Sequence, residues 1–262
     1  MKREGKNASF FRDKTGQITI FIIVAIVIVA MAVLIYVFYP QISSTLGVGE
    51  QDPNAFIQTC MEDEIKSTVE TISLQGGSLE PESYFTYNNI PIQYLCYINE
   101  ANKLCVVQQP LLKQHIESEM KAGIEPVARN CFDELKTSFE GRNYDVIMRE
   151  GDINVELLPQ RIVSTFNYTV TLERAGETKR YESFNVVLNN NLYELESIGK
   201  SIIEWEATVG KADPRTYMSY YPNLKVEKNV RDDGTNIYIL TDRSTGDKFQ
   251  FAIRSLVSAP GF

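Results

Sequence analysis

The most apolar stretch of the chain lies near its beginning. Residues 18–39 contain no charged residue, glycine or proline. A helix of this length is about 33 Å long at about 1.5 Å per residue, enough to cross the hydrocarbon core of a bilayer. The run exceeds the apolar region of a cleaved secretory signal and ends in Tyr36, Phe38, Tyr39 and Pro40 rather than in small residues. It predicts a transmembrane helix that contacts the lipid bilayer through residues 18–39; a buried core helix is the alternative.

The charges on either side of this run predict its orientation. Five basic and two acidic residues precede it: Lys2, Arg3, Lys6, Arg12 and Lys14, against Glu4 and Asp13. After the run, no basic residue occurs before Lys66. Because basic residues favour the cytoplasmic side of a membrane, we expect a single-pass cell-membrane protein with a cytoplasmic N-terminus and an extracellular C-terminal domain.

Beyond a polar linker at residues 41–54, three stretches repeat apolar residues every three or four positions, as amphipathic helices do. They run from Asp52-Pro53 to Gly76-Gly77, over residues 111–140 and over residues 191–209. Gly123 and Pro126 predict a bend in the second helix, and Gly141 predicts its end. The third helix is expected to carry Trp205 on or near its apolar face.

Most of the remaining sequence alternates apolar and polar residues, which predicts strands. Seven strands are expected, over residues 144–148, 153–157, 161–175, 179–188, 224–230, 236–241 and 248–254. Turns are expected at Glu150-Gly151-Asp152, Pro159-Gln160, Ala175-Gly176-Glu177, Asp233-Gly234 and Thr245-Gly246, with an irregular stretch over 211–223. Short turns favour antiparallel pairing. In the last strand, Phe249, Phe251 and Ile253 form an apolar side.

These elements predict an α+β fold: an N-terminal transmembrane helix followed by an extracytoplasmic domain of antiparallel sheet packed with helices. The expected segments are a cytoplasmic basic leader (1–16), the transmembrane helix (17–40), the linker (41–54), a helical segment with a disulfide hairpin (55–140) and an antiparallel α+β domain (141–262). The last two segments are long enough to bury a core as one domain or as two small ones.

The charge balance narrows the possible partners. The chain carries 26 basic and 34 acidic residues. Because the leader holds five of the basic and two of the acidic residues, the rest of the chain has 21 and 32, a formal charge of −11. A chain without a basic stripe cannot displace counterions from phosphates, so nucleic acid is not an expected partner. Solubility is the simpler role for the acidic surface.

All cysteines follow the predicted span: Cys60, Cys96, Cys105 and Cys131. No pair has the CxxC spacing and the chain has a single histidine, which leaves too few ligands for a zinc site. Disulfides suit an extracellular location. The segment between Cys96 and Cys105 fits a hairpin that turns at Glu100-Ala101, and Cys60 with Cys131 would then join two helices. The other pairings, and reduced buried cysteines, stay open.

The chain contains two N-glycosylation sequons. Asn167-Tyr168-Thr169 lies in a predicted strand with Asn167 and Thr169 on its polar side, where a glycan would have room. Asn7-Ala8-Ser9 lies on the predicted cytoplasmic side. Of the two asparagines, Asn167 is therefore the candidate acceptor.

No GxSxG elbow, phosphate-binding loop, dinucleotide GxGxxG or HExxH motif occurs in the chain. We therefore expect neither enzymatic activity nor a cofactor. His115 and the pair Glu62-Asp63 are expected on helix surfaces, and Asp232-Asp233 in a turn without the alternating spacing of a calcium loop. An aromatic cluster either packs over the third helix or forms a contact patch for sugar or protein: Tyr217, Tyr220 and Tyr221.

Ahead of the apolar run, a basic stretch leads into Thr15-Gly16-Gln17-Ile18-Thr19-Ile20. This stretch resembles the class III signal peptides of archaeal type IV pilin-like proteins, in which a prepilin peptidase cuts between the glycine and the glutamine. The resemblance implies processing between Gly16 and Gln17, with self-assembly through the N-terminal helix. Many pilins carry a glutamate five residues into the mature chain, where this chain has Phe21.

Three further stretches reach across most of residues 17–254: AFIQTCMEDEIKSTVETISLQGG, RNCFDEL and IYILTDRSTGDKFQFAIR. In these stretches the chain resembles a group of uncharacterised surface proteins of small-celled archaea. The resemblance implies a membrane-anchored surface protein and no particular chemistry.

Two functions are expected from these patterns. One is a pilin-like structural subunit whose helix packs with its copies into a filament or surface assembly. The other is a permanently anchored, monomeric ectodomain that acts in adhesion or ligand binding. The signal-like start favours the first function, whereas Phe21 and the size of the exterior part favour the second.

Overall fold

The computed structural model describes residues 24–29 and 52–256. Residues 24–29 are helical, with exposed side chains. Within these two ranges, we find no helix with the length and hydropathy of a membrane span. The rest of the predicted span, the basic leader and the Gly16-Gln17 processing site lie outside the described residues.

Residues 52–256 contain long amphipathic helices and many short strands. The helices are α1 (Pro53–Leu74), α2 (Leu112–Glu140), α3 (Leu192–Val209) and α4 (Pro214–Tyr220). The strands are β1 (Tyr84–Tyr87), β2 (Ile90–Tyr97), β3 (Val106–Val107), β4 (Asp145–Arg149), β5 (Ile153–Leu158), β6 (Arg161–Phe166), β7 (Thr169–Arg174), β8 (Glu177–Tyr181), β9 (Phe184–Asn189), β10 (Leu224–Val230), β11 (Thr235–Asp242) and β12 (Lys248–Arg254). The predicted α+β class is confirmed.

The largest sheet has the order β1-β2-β12-β11-β10, with β3 paired to β2. Its strands pair antiparallel except β2 and β12, which run parallel. The expected purely antiparallel sheet is therefore wrong. The parallel pairing joins a strand from the first half of the chain to the last strand, so segments 55–140 and 141–262 share one sheet within the compact unit Pro53–Phe262.

Residues 145–189 form three long antiparallel strands that are each interrupted at mid-length. The halves belong to two sheets, β4-β7-β8 and β5-β6-β9. The predicted turn at Glu150-Gly151-Asp152 is thus a bend in one strand rather than a reversal, and the predicted strands 161–175 and 179–188 are each split in two. A Cβ on Gly151 would lie 1.9 Å from the carbonyl oxygen of Asn167. The main chains of the two neighbouring strands are therefore in close contact where both strands are interrupted.

The chain reverses at the other predicted turns of this region. Gln160 has φ 62°, and Ala175 and Gly176 have φ 53° and 85°. These left-handed conformations suit tight connections between antiparallel strands. The turns at Pro159-Gln160 and Ala175-Gly176 are therefore confirmed.

Helix α2 is continuous through Pro126. A Cβ on Gly123 would lie 2.9 Å from Leu79 Cδ1 and 3.0 Å from Thr68 Cγ2, so this glycine permits close approach of α1 and the loop that follows it. The helix ends at Glu140 as predicted. Gly141 keeps right-handed geometry with φ −61°, and Asn143, with φ 62°, supplies the left-handed residue.

A single large apolar core lies between the helices and the inner faces of the sheets. At its centre, the Phe132 ring stacks on Tyr168 at 4.0 Å between centroids and meets Phe184 edge-on at 5.1 Å. A smaller cluster covers the opposite face of the large sheet. Because β12 is central in that sheet, Gln250 and Ala252 are buried along with the apolar side predicted for it.

The two disulfides join the pairs predicted from the sequence. Cys60–Cys131 links α1 to α2 with Cα atoms 6.0 Å apart, and Cys96–Cys105 closes a shorter loop with Cα atoms 5.3 Å apart. The predicted hairpin register is wrong, because Cys96 faces Val107 rather than Cys105. The chain after β2 instead follows the last strand, since the Ile98 N–H donates to the Arg254 carbonyl.

Candidate binding groove

A cavity of about 570 Å³ lies beside α3 and α4. Its lining combines aromatic rings with polar and charged groups: Ser201, Trp205, Lys211, Asp213, Thr216, Tyr217, Tyr220 and Tyr221. We call this cavity and its lining the aromatic groove. It lies near the β10 edge of the large sheet, because α4 packs against β10.

Helix α4 and its capping residues Asp213 and Tyr221 supply five of the eight lining residues, although residues 211–223 were expected to be irregular. The Asp213 carboxylate accepts a hydrogen bond from the Arg215 N–H at 3.0 Å, and Pro214 occupies the first turn. An aspartate cap followed by proline starts a helix because the side chain satisfies a backbone donor and proline has the φ that a helix requires. The same Asp-Pro signal correctly marked the start of α1.

A buried carboxylate fixes the loop between α3 and α4. Glu206 is 0% exposed, and its Oε1 accepts hydrogen bonds from the Ala212 N–H at 3.2 Å and from Lys228 Nζ at 2.7 Å. The Tyr238 hydroxyl also donates to this oxygen. Burial raises the pKa of Tyr238, and the adjacent Glu206 raises it further, so this hydroxyl keeps its proton and remains a donor. Lys211 and Asp213, on either side of Ala212, are thereby held at the groove.

Three aromatic rings of the groove are open to solvent. Trp205 is 53% exposed, Tyr220 77% and Tyr221 51%. Tyr217 instead packs against the core, and its hydroxyl is hydrogen-bonded to that of Ser201 at 3.0 Å. Packing over the third helix is therefore correct for Tyr217 and wrong for the other two tyrosines. Trp205 is exposed, although we expected it on or near the apolar face of that helix.

The rings of the groove do not stack on each other. The ring pairs in contact within residues 52–256 all lie elsewhere in the fold. Flat apolar surfaces therefore stand beside hydroxyl, carboxylate and ammonium groups. Such a lining suits a ligand with an apolar face and hydrogen-bonding edges.

His115, the single histidine, supports a loop. Its Nε2 lies 2.7 Å from the Ser78 hydroxyl, and one helical turn further along α2 the Glu119 carboxylate accepts from the Leu79 N–H at 2.8 Å. Both contacts tie the segment after α1 to α2.

The acidic pairs lie where the sequence placed them. Glu62 and Asp63 are exposed on α1, and the Asp233 carboxylate accepts hydrogen bonds from the Thr235 N–H and hydroxyl across a turn. Within the described parts of the chain, no group of three or more histidine, cysteine, aspartate or glutamate side chains is arranged to hold a metal ion.

Asn167 is exposed at the interruption between β6 and β7, not within a continuous strand as expected. Its N–H donates to the Asp152 carbonyl at 2.9 Å. The side chain of the sequon asparagine thus stands at a surface bend.

Comparison with protein-family models, characterised proteins and solved structures gave no match to this chain. The chemistry of the aromatic groove is therefore the basis for assigning a function.

Proposed function

We propose that this protein is a membrane-anchored cell-surface binding protein that captures its ligand in the aromatic groove. The apolar run at residues 18–39 and the basic residues before it support the anchor and its orientation. The two disulfides suit an oxidising exterior. No part of this proposal requires catalysis or a cofactor.

The observation that carries the proposal is the exposure of Trp205, Tyr220 and Tyr221 around one cavity. An aromatic side chain that faces water does not gain the free energy that burial of its apolar surface would contribute. Of the 21 aromatic residues between residues 52 and 256, four are exposed, and three of these four line the groove; the fourth is Tyr84. Three exposed rings gathered at one cavity therefore favour a contact site over incidental exposure.

Capture by vesicles tests the binding function. Full-length protein is reconstituted into lipid vesicles and mixed with cell envelopes from the source cells. We expect the vesicles to capture envelope fragments, and a variant carrying Trp205→Ala and Tyr220→Ala to lose this capture. Tyr84→Ala is the matched control, because Tyr84 is 51% exposed on β1 at the opposite edge of the large sheet from β10. Equal capture by the double variant and the control would refute the function.

Protease treatment of intact cells tests the anchor. Residues from 41 onward are expected to be removed, while the basic leader stays protected. Alkaline carbonate should leave the untreated protein in the membrane fraction. A C-terminal part that resists protease until the cells are lysed would contradict the proposed orientation.

A pilin-like subunit is the second candidate, and the Gly16-Gln17 sequence ahead of the apolar run favours it. Under this proposal a prepilin peptidase processes the chain and the N-terminal helix packs with its copies. N-terminal sequencing of the native protein should then find Gln17 first, and electron microscopy of shed material should show filaments. A native chain that begins at Met1 would remove this candidate.

Asn167 is proposed as a glycan acceptor. Its exposure at a surface bend supports the assignment. Mass spectrometry of native protein should find the modification on the peptide that contains Asn167, and Asn167→Gln should abolish it. An unmodified peptide as the sole form would reject the site.

A further inference from the structure

We infer that the ligand of the aromatic groove is a neutral carbohydrate chain. This inference rests on the proposed binding function and adds the chemical class of the ligand. The groove volume of about 570 Å³ falls within the range of about 300–1,000 Å³ that small-molecule sites occupy. It therefore suits the end or a short segment of a glycan.

The exposed rings match the apolar side of a sugar. A pyranose ring presents C–H bonds on one face, and the negative π face of an aromatic ring attracts such positively polarised hydrogens. Trp205 comes from α3, whereas Tyr220 and Tyr221 come from the end of α4. Because about half or more of each of these side chains is exposed and none of the rings stacks on another, a ligand can contact them.

The polar groups match the hydroxyls at the edge of a sugar. Sugar hydroxyls both donate and accept hydrogen bonds, so a site for them needs both kinds of partner. Asp213 supplies the carboxylate oxygen that does not accept from the Arg215 N–H, Lys211 supplies donors, and the Thr216 hydroxyl supplies both. Glu206 holds the loop of Lys211 and Asp213 before any ligand arrives, which lowers the entropy cost of binding.

The charge of the lining favours a neutral ligand. Its formal charges are one positive, on Lys211, and one negative, on Asp213. A quaternary ammonium group would suit the rings but would face the Lys211 ammonium. Nucleic-acid bases also stack on rings, but sites for single strands add a basic groove, and this chain is acidic overall.

Periodate treatment of the envelopes separates the ligand class from the binding function. Periodate cleaves the carbon–carbon bond of vicinal diols, oxidising each hydroxyl-bearing carbon to an aldehyde while periodate is reduced to iodate. Vesicles with the full-length protein should capture untreated envelopes but lose capture of periodate-treated envelopes. Capture that survives periodate overturns the carbohydrate inference and leaves the binding function standing. If the binding function itself is wrong, the result is different: the variant carrying Trp205→Ala and Tyr220→Ala then captures untreated envelopes as well as the parent does.

Fluorescence measures the same contact directly, because Trp205 is the only tryptophan of the chain. Full-length protein in discs of phosphatidylethanolamine and phosphatidylglycerol, which carry neither sugar nor quaternary ammonium, is titrated with xylohexaose, mannohexaose, maltohexaose and cellohexaose. At least one of them should shift the emission saturably. Tyr220→Ala should raise its Kd about tenfold, corresponding to about 1.4 kcal/mol, and Tyr84→Ala should leave it unchanged. No saturable shift with any of the four, or equal Kd values for both variants, overturns the inference.

Discussion

Glu206 accepts the hydrogen bond that holds the loop between α3 and α4. Replacing it with alanine leaves the buried Tyr238 hydroxyl and the Ala212 N–H without their acceptor and Lys228 without its counter-charge. We expect Glu206→Ala to lower the free energy of unfolding by about 3 kcal/mol. Urea unfolding of the full-length protein, followed by Trp205 fluorescence, measures this loss.

The control is an exposed glutamate on the same helix. Glu204 is exposed on α3, so Glu204→Ala should change the free energy of unfolding by no more than about 0.5 kcal/mol. Glu206→Gln keeps an acceptor oxygen and removes the charge, and should fall between the two. Similar values for Glu204→Ala and Glu206→Ala would show that the buried carboxylate does not hold the loop.

Glu196 makes stability depend on pH. Burial raises its pKa above the ordinary value of 4.5; Lys200 and Lys113 partly oppose this shift, and Glu117 adds to it. A raised folded-state pKa means that the protonated side chain favours folding below the unfolded-state pKa, and that this contribution is lost as pH rises through the folded-state pKa. Glu196→Gln should therefore be more stable than the parent at pH 7, with the difference vanishing as pH falls below 4.5.

Unfolding of both proteins in urea across this pH range measures the difference. Glu196 lies on α3 away from the groove lining, so ligand titrations should give the same Kd for both. A stability difference that is constant with pH would mean that the glutamine acts through packing rather than through charge.

The groove residues show how much of a binding site can be predicted from the sequence of its helices. The tyrosines near residue 220 were visible as a candidate contact patch. The sequence predicts Trp205 on or near the apolar face of its helix and gives no role to the adjacent Glu206, yet the structure buries Glu206 and exposes Trp205. From side-chain polarity alone, an aromatic residue is expected to be buried and a carboxylate to be exposed. The reversal is decided by Lys228 and Tyr238, which lie on distant strands.

At the scale of elements, Gly151 permits the bend shared by the three long strands. Its Cβ position lies 1.9 Å from a backbone oxygen, that of Asn167, so Gly151→Ala must displace the main chain. We expect a loss of at least about 2 kcal/mol in the free energy of unfolding, as for other overpacked sites. Urea midpoints of the full-length variants measure it.

Gly176 provides the contrasting variant. It has φ 85° and no atom within 4 Å of its Cβ position, so Gly176→Ala incurs only the conformational cost, about 1 kcal/mol. A loss for Gly151→Ala that does not exceed the loss for Gly176→Ala would argue against a steric requirement at the bend.

These two glycines also explain which strand predictions failed. Both lie in short polar stretches between strands, and local sequence marks both as turns. Gly176 is there for its left-handed backbone, whereas Gly151 is there because another strand passes close by. Only the second reason depends on tertiary structure. The end of β10 and the start of β12 were predicted correctly because local turn signals lie close to them, at Asp233-Gly234 and Thr245-Gly246.

At the scale of the whole molecule, the pairing of strands that are distant in sequence is the feature that local patterns do not predict. The parallel contact between β2 and β12 joins residues near 95 to residues near 253, and no local pattern indicates such a pairing. It also shifted the Cys96–Cys105 hairpin, because the loop after β2 bonds to the C-terminal segment at Ile98 and Asn102. The favoured cysteine pairing agrees with the structure because a separation of 9 residues lets Cys96 and Cys105 meet in a local loop, which leaves Cys60 and Cys131 on the two helices.

The two disulfides should contribute unequally to stability. Their cysteines are separated by 71 residues for Cys60–Cys131 and by 9 for Cys96–Cys105. A cross-link that closes a longer loop removes more entropy from the unfolded chain, which gives about 4.4 kcal/mol for the first bridge and about 2.7 kcal/mol for the second.

Replacing both cysteines of one pair with alanine removes the same atoms in each case, so the comparison isolates loop length and site. Urea unfolding of the two full-length double variants should show the larger loss for Cys60→Ala with Cys131→Ala. The more buried Cys96–Cys105 pair would give the larger loss if local packing outweighed loop closure, and that order would contradict the entropic account.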